Sequence, residues 1–164
     1  MDYGGFWMRL AAYLIDYIIL GILGLLLYFV LIALGIFDFS ALMEMMDDPA
    51  LQAGGEPDPE LAALVAQSMM QQFSILWLVS FVLSWLYEAI LTSSAMQATP
   101  GKMAFGLRVT TVDGEQIGFG RATGRFFGKI VSSLILCIGF IMIAFSARKQ
   151  GLHDMMAGTV VVRG

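Results

Sequence analysis

A long apolar stretch near the N-terminus, Leu10 to Leu34, constrains the fold of this chain more than any other feature. As an α-helix it is ~37 Å long, whereas the hydrocarbon core of a bilayer is ~30 Å thick. Because the N-terminus has neither the basic region nor the cleavage site of a signal peptide, we interpret the stretch as a retained, tilted spanning helix. The chain is 59% hydrophobic and 13% charged. The sequence therefore predicts an integral membrane protein with a single domain over residues 1–164.

A second apolar stretch, Phe73 to Leu91, is just long enough to span a bilayer, at ~28 Å as a helix. The loop between the two spans, residues 35–72, is rich in acidic residues and methionine. Within it, Asp58 can cap a helix and Pro59 suits the first helical position. This helix can run directly into the second span.

The segment after the second span changes character. Pro100-Gly101 ends any helix that continues from the span. The sequence LRVTTV, followed by Asp113-Gly114 and a short return, is typical of a β-hairpin. The C-terminal sequence GTVVVR is also typical of a short strand, and it can pair with LRVTTV.

A third apolar segment, about residues 126–146, leaves two topologies open. Its uninterrupted part, Ile130 to Phe145, is shorter than the ~18 residues that mark a spanning helix, and Gly139 interrupts it near the centre. The segment is either a third span or a re-entrant helical hairpin that turns near Cys137 to Gly139.

The distribution of lysine and arginine favours the hairpin. Between Asp38 and Glu60 there are seven acidic residues and no Lys or Arg. This loop is expected outside, because cytoplasmic loops are enriched in basic residues. A third span would put Arg148, Lys149 and Arg163 outside as well. A re-entrant hairpin, which is tolerated where it packs against protein, keeps every basic residue cytoplasmic.

The predicted fold is therefore an all-α membrane protein with two full transmembrane helices, a third apolar segment and a small cytoplasmic β-hairpin. We expect a multi-pass protein of the cell (cytoplasmic) membrane with its N-terminus in the cytoplasm. Nothing in the sequence resembles a nucleic-acid-binding motif, so nucleic acid is not an expected partner.

Charged residues inside the predicted spans mark a candidate site. Asp16 lies ~9 Å into the first span if the helix enters at Leu10. Insertion of an acid costs ~2.5–3.5 kcal/mol at mid-membrane and less near the edge. Arg9 lies two turns earlier on the same helical face, with Tyr13 between them. Glu88, ~5 Å from the cytoplasmic end of the second span, lies at a similar depth, and we predict one partly buried polar cluster.

Two interpretations of this cluster remain open. In the first, Asp16 accepts an ion or proton, Arg9 is its counter-charge and Glu88 is an auxiliary carboxylate. In the second, Arg9 and Asp16 form a structural ion pair that fixes helix packing, since buried pairs can serve specificity alone.

Several sequence motifs resemble those of one known family. RLAAYLID, TPGKMAFGLRVTTVDG, GRATGRFFGK and KQGLHDMMAGTVVVR occur in order, from Phe6 to Arg163 apart from the acidic loop. Together they are similar to the RDD family of small integral membrane proteins, whose name marks one arginine and two aspartates. The resemblance assigns these to Arg9, Asp16 and Asp154. It implies a multi-pass membrane location and a role in transport, with cation/proton antiport proposed for some members and partnership in membrane complexes for others.

The resemblance adds the segment around Asp154 to the candidate site. In the hairpin topology, His153 and Asp154 return to the cytoplasmic face near the depth of Arg9. Asp154 can cap the following short helix or bind Arg9 or Arg125. His153 can act as a proton sensor because histidine titrates near physiological pH, or it can make a local hydrogen bond.

The segment GRATGRFFGK carries two further signals. Gly120, Gly124 and Gly128 recur every four residues, which on a helix provides a small-residue stripe for a dimer seam or an internal contact. Arg121, Arg125 and Lys129 in the same segment suit the headgroups of membrane lipid. Because so few helices can hardly enclose a pathway, we expect a homo-oligomer.

Neither enzyme chemistry nor a metal site is expected. The chain lacks a Gly-x-Ser-x-Gly elbow, a P-loop, a dinucleotide fingerprint and an H-E-x-x-H motif. The methionines of the outer loop are soft ligands, but no His or Cys lies nearby to complete a Cu(I) site. We expect no cofactor. The sequence favours a transporter-like protein that exchanges a monovalent cation for protons, and the alternative is a non-transporting membrane assembly or interaction module.

Overall fold

The computed structural model describes residues 2–135 and 138–164 of the chain. These residues form eight helices and a two-stranded sheet. The helices are α1 (Phe6–Ala33), α2 (Ser40–Met46), α3 (Pro49–Gln52), α4 (Pro59–Ser93), α5 (Pro100–Ala104), α6 (Phe119–Leu134), α7 (Ile138–Phe145) and α8 (Leu152–Ala157). The strands are β1 (Leu107–Thr111) and β2 (Thr159–Arg163). The mainly helical fold class predicted from the sequence is confirmed.

Two helices, α1 and α4, are long and apolar enough to cross a membrane. Helix α4 begins at Pro59, where the capping pattern predicted a helix, and continues through the second span to Ser93. The side chain of Asp58 caps it by accepting a hydrogen bond from the backbone N–H of Glu60 at 2.7 Å. The expectation that this helix runs directly into the second span is confirmed.

The chain divides into two compact units, and Ile22–Val82 is the first that we describe. Here the acidic loop contains α2 and α3 as well as the beginning of α4. Its aspartates satisfy backbone N–H groups at turns and helix starts. Asp38 accepts from Ser40 at 2.8 Å and Asp48 accepts from Ala50 at 2.9 Å. Asp38, Asp48 and Asp58 thus have local structural partners.

The other unit comprises Met1–Gly21 and Leu83–Gly164. Its apolar core joins the sheet to three helices, because buried side chains of β1 and β2 pack with alanines of α1, α4 and α6. The core residues are Ala12, Ala89, Leu107, Val109, Ile117, Ala122 and Val161.

The sheet pairs two segments that lie far apart in the sequence. β1 and β2 are antiparallel, with Val109 opposite Val161. This confirms the predicted pairing of LRVTTV with the C-terminal strand. The Asp113-Gly114 turn also forms, with Gly114 at φ +90°, but the return of the hairpin is a single bridge from Gln116 to Thr110. Farther along that edge of β1, the backbone N–H of Val109 instead donates to the carbonyl of Gln97 at 2.7 Å.

The third apolar segment is bent. Phe119–Leu134 and Gly139–Phe145 make an angle of 97°. The pair can form one broken span or a re-entrant loop, so both predicted topologies remain, whereas a straight third helix is excluded over the described residues. The predicted turn from Cys137 to Gly139 begins outside the described residues.

The glycine stripe of α6 is in contact with the rest of the fold at one of its three positions. Gly128 packs on α8, since a Cβ there would lie 3.2 Å from the Cα of His153. Gly120 and Gly124 face open space. The glycine stripe is therefore an internal contact at Gly128 alone.

Cysteine labelling distinguishes the two topologies of the bent segment. In a Cys137→Ser background, we expect Arg148→Cys and Arg121→Cys both to resist a membrane-impermeant maleimide added outside intact cells, and both to react after permeabilisation. Both positions are exposed in the structure.

Labelling of Arg148→Cys alone from outside would show a broken third span. Labelling of both positions from outside would show that the predicted orientation is inverted.

Candidate functional site

Asp154 is fully buried and lies between two arginines. Arg9 of α1 donates from Nη1 to Oδ2 at 2.5 Å, and Arg125 of α6 donates from Nε to Oδ1 at 2.7 Å. Asp154 also accepts from the backbone N–H of Gly151 at 3.2 Å, at the start of α8. The predicted arginine partners of Asp154 are observed. Its predicted place as the cap of a following helix is wrong, because α8 already begins at Leu152 and Asp154 lies inside its first turn.

The two arginines determine the charge state of Asp154. Burial alone would raise the pKa of its carboxyl, but the charges of Arg125 and Arg9 hold that pKa well below its usual range. Asp154 is therefore a fixed negative charge at physiological pH.

Glu88 of α4 carries the second set of ion pairs. Lys129 Nζ lies 2.5 and 2.6 Å from its two carboxylate oxygens. Arg125 Nη1 lies 3.2 Å away and Lys102 Nζ 3.5 Å away from Oε1. Arg125 thus bridges Glu88 and Asp154, and it is itself buried.

Asp16 has a different environment, made of neutral donors. Tyr87 Oη donates to Oδ1 at 2.9 Å, Thr99 Oγ1 donates to Oδ2 at 2.5 Å, and the backbone N–H of Gly101 donates to Oδ1 at 2.8 Å. Asp16 is buried.

The predicted counter-charge for Asp16 is therefore wrong. Arg9 pairs with Asp154 and also donates to the carbonyls of Gly4 and Lys149. The cause is geometric, because side chains on a helix tilt toward its N-terminus. Arg9 therefore points away from Asp16, although both occupy one helical face.

Gly101 allows the TPGK segment to dock on α1. Pro100 occupies the start of α5, where its missing N–H costs nothing. A Cβ at Gly101 would lie 2.8 Å from Cγ of Asp16 and would overlap the carbonyl oxygen of Ala12. Only glycine fits this close approach of two backbones.

Neighbouring residues connect the site of Asp16 to that of Glu88. Tyr87 binds Asp16 while the adjacent Glu88 binds Lys102, and Gly101, next to Lys102, also binds Asp16. We call the charged groups of this region the charge cluster: Arg9, Asp16, Glu88, Lys102, Arg125, Lys129 and Asp154. Ion pairs connect Arg9, Asp154, Arg125 and Glu88 within it, and Asp16 lies beside them.

Two auxiliary residues do not have the predicted environment. Tyr13 is exposed and packs against the ring of Tyr17. His153 is buried beside Phe140 and lies 3.5 Å from Ser132 Oγ. Burial lowers the pKa of His153 to about 3, which contradicts the hypothesis of a proton sensor near neutral pH.

Sequence reasoning missed several residues of the site. Lys102, Lys129, Tyr87, Thr99 and Gly101 were not assigned to it. The available signal was the TPGK motif and the four-residue spacing of Arg125 and Lys129, which puts both on one face of α6.

Within the described ranges, no group of three or more His, Cys, Asp or Glu side chains could hold a metal ion.

Gly101→Ala tests the docking of TPGK on α1. We expect it to lower the free energy of unfolding by about 1–3 kcal/mol, because the added methyl group forces two backbones apart. Thermal or denaturant unfolding in detergent micelles measures the change. Gly124→Ala is the matched control, since its Cβ meets open space. An equal stability of the two variants would contradict the close approach.

The pKa of His153 predicts a pH dependence of stability. Since that pKa is about 3 in the fold and ~6.5 in the unfolded chain, the unfolded state binds more protons between these values. The contribution of neutral His153 to the free energy of unfolding should therefore be fully present above pH ~6.5. Below that pH the free energy should fall by up to about 1.4 kcal/mol per pH unit.

We expect unfolding measured between pH 7 and pH 5 to show this slope in the native chain and a flatter slope in His153→Gln. Parallel slopes would show that His153 is not buried in its neutral form.

Comparison with known proteins identifies the family. A family model described as the RDD family matches residues 3–158. The chain is 35% identical to the uncharacterized protein YxaI of Bacillus subtilis, covering 96% of this chain and 95% of that protein. It is 31% identical to the uncharacterized membrane protein YteJ of the same organism, covering 98% and 80% respectively. No solved structure matches the chain. The chain is a membrane protein of the RDD family.

Proposed function

We propose that this membrane protein exchanges a monovalent cation for protons across the cell membrane, and that Asp16 is the carboxylate at which the exchange takes place. The observation that carries the proposal is the contrast between the three carboxylates of the charge cluster. Asp154 and Glu88 are held by arginine and lysine. Over the described residues, Asp16 has no lysine or arginine within ion-pair distance.

The absence of a fixed counter-charge matters for exchange. A buried carboxylate that is permanently paired gains nothing from a second cation, because its charge is already compensated. Asp16 is stabilised only by three hydrogen bonds. A proton or a metal cation can therefore compensate its charge and can also leave again.

The donors around Asp16 suit both the form that binds a proton and the form that binds a cation. The hydroxyls of Tyr87 and Thr99 can each donate to a carboxylate or, after rotation, accept from a protonated carboxyl. The same hydroxyl and carboxylate oxygens are hard ligands, which is the class that binds hard cations.

The other ion pairs then serve as a scaffold in this proposal. Arg9 and Arg125 hold Asp154, and Lys129 holds Glu88. Arg9 supports the site by docking α1 on the segment before α8 and is not the counter-charge of Asp16.

Asp16→Asn tests the proposal in proteoliposomes that contain a pH-sensitive dye. With an imposed Na⁺ or K⁺ gradient, we expect the native chain to move protons and Asp16→Asn to reduce the rate at least tenfold. The amide keeps an acceptor for the neighbouring donors but cannot bind a proton or compensate a cation. Asp113→Asn, at the exposed hairpin turn, is the matched control and should keep the native rate. Equal rates in the two variants would refute the role of Asp16.

A second function is favoured by the completeness of the ion pairs. Arg125 and Asp154 are fully buried and mutually satisfied, as expected of a rigid module that organises other membrane proteins. Absence of flux for every tested cation, together with specific recovery of partner proteins, would support this module.

We also propose that the functional form is a homo-oligomer with its N-termini in the cytoplasm. Two long helices and one bent pair of shorter helices are too few to surround a transport pathway in a single copy of the chain. We expect chemical crosslinking in native-like bilayers to trap dimers or larger assemblies at protein-to-lipid ratios too low for random collision. Only monomers under these conditions would count against transport by this chain alone.

A further inference from the structure

Lys102 lies next to the carboxylate of Glu88, and the residue before it binds Asp16, the proposed exchange carboxylate. It belongs to the short helix α5 and is buried, with its Nζ 3.5 Å from Glu88 Oε1. The preceding residue, Gly101, donates its backbone N–H to Asp16. The charged groups that act on Lys102 are Asp16 from α1, Glu88 from α4, and Arg125 and Lys129 from α6.

The charge cluster holds one more basic group than it has carboxylates. Its basic groups are Arg9, Lys102, Arg125 and Lys129, and its carboxylates are Asp16, Glu88 and Asp154. An uncompensated buried charge is costly, and a group in such a place neutralises by exchanging a proton. One of the four basic groups is therefore expected to give up its proton most readily.

The geometry identifies which of the four this is. The arginines stay charged under all physiological conditions. Lys129 contacts both oxygens of Glu88 and its side chain is 22% exposed, so that it keeps a close partner and contact with solvent. Lys102 is more deeply buried and has the longest ion-pair distance to Glu88.

We infer that Lys102 carries the proton of the exchange, and that its ammonium and the transported cation compete electrostatically for the negative charge of Asp16. The inference rests on the proposed function, and it divides the roles: Asp16 receives the cation and Lys102 the proton.

The exchange balances in charge and protons. When a monovalent cation binds at Asp16, Lys102 releases one proton to water and becomes a neutral amine, so the net charge of the cluster is unchanged. When Lys102 takes a proton again, the cation leaves. Each cycle exchanges one cation for one proton.

The acid–base behaviour of Lys102 agrees with this role. Burial, reinforced by the charges of Lys129 and Arg125, lowers its pKa to about 7 although Glu88 opposes the shift. Protonated and neutral forms are then both populated near physiological pH.

Cation binding to the purified full-length chain tests the inference. By calorimetry with NaCl and with KCl, we expect binding about tenfold tighter at pH 8 than at pH 6, since a competing proton with a pKa of about 7 weakens binding tenfold between these values. Lys102→Gln should bind equally at both pH values. Lys149→Gln, which removes a lysine outside the charge cluster, should retain the pH dependence.

A direct measurement on the native chain does not depend on the folding of a variant. The ¹⁵Nζ resonance of Lys102 should titrate near pH 7 without NaCl and at a lower pH as NaCl is added. A midpoint near the ordinary value of lysine, or one that NaCl leaves unchanged, would overturn the inference.

The outcomes separate this inference from the proposed function. Proton flux that depends on Asp16, combined with pH-dependent cation binding that survives in Lys102→Gln, would refute only the role of Lys102. A native chain that binds neither cation and moves no protons would refute both.

Discussion

The buried guanidinium of Arg125 is the interaction on which the rest of the site depends. It contacts Asp154 with Nε and Glu88 with Nη1, and so joins α6 to α8 and to the end of α4. Removing one partner of a buried pair leaves the other charge uncompensated, at a cost of ~3–5 kcal/mol. Planar guanidinium suits this position because it offers several donors in fixed directions. Loss of Arg125 would therefore disturb both carboxylates at once.

Near this bridge, the carboxylates of Asp154 and Asp16 have different kinds of partner. Asp154 is fixed by two arginines and holds the start of α8, whereas Asp16 is held by hydroxyls and one backbone N–H. A rigid ionic frame can thus keep a more adaptable carboxylate in place. This arrangement links the energetic cost of burying charge in a membrane protein to the site at which we propose that charge is exchanged.

Much of the fold could be predicted from local patterns. Asp58-Pro59 marked the start of α4, and Pro100-Gly101 marked the break after it, because capping and backbone restrictions act over a few residues. The partner of Arg9 could not be obtained in this way. Helical spacing puts Arg9 and Asp16 on one face, but the choice of Asp154 depends on how α8 returns to α1, which is a tertiary contact. Lys102 was missed for the same reason, since its position in the charge cluster follows from the docking of Gly101 against α1.

The most direct test of this account is a double-mutant cycle between Arg125 and Asp154, measured by unfolding in micelles. We predict that Arg125→Gln and Asp154→Asn are each strongly destabilising and that the double variant loses less than the sum, by at least ~1 kcal/mol. Independent, additive losses would contradict a cluster held together by the Arg125 bridge.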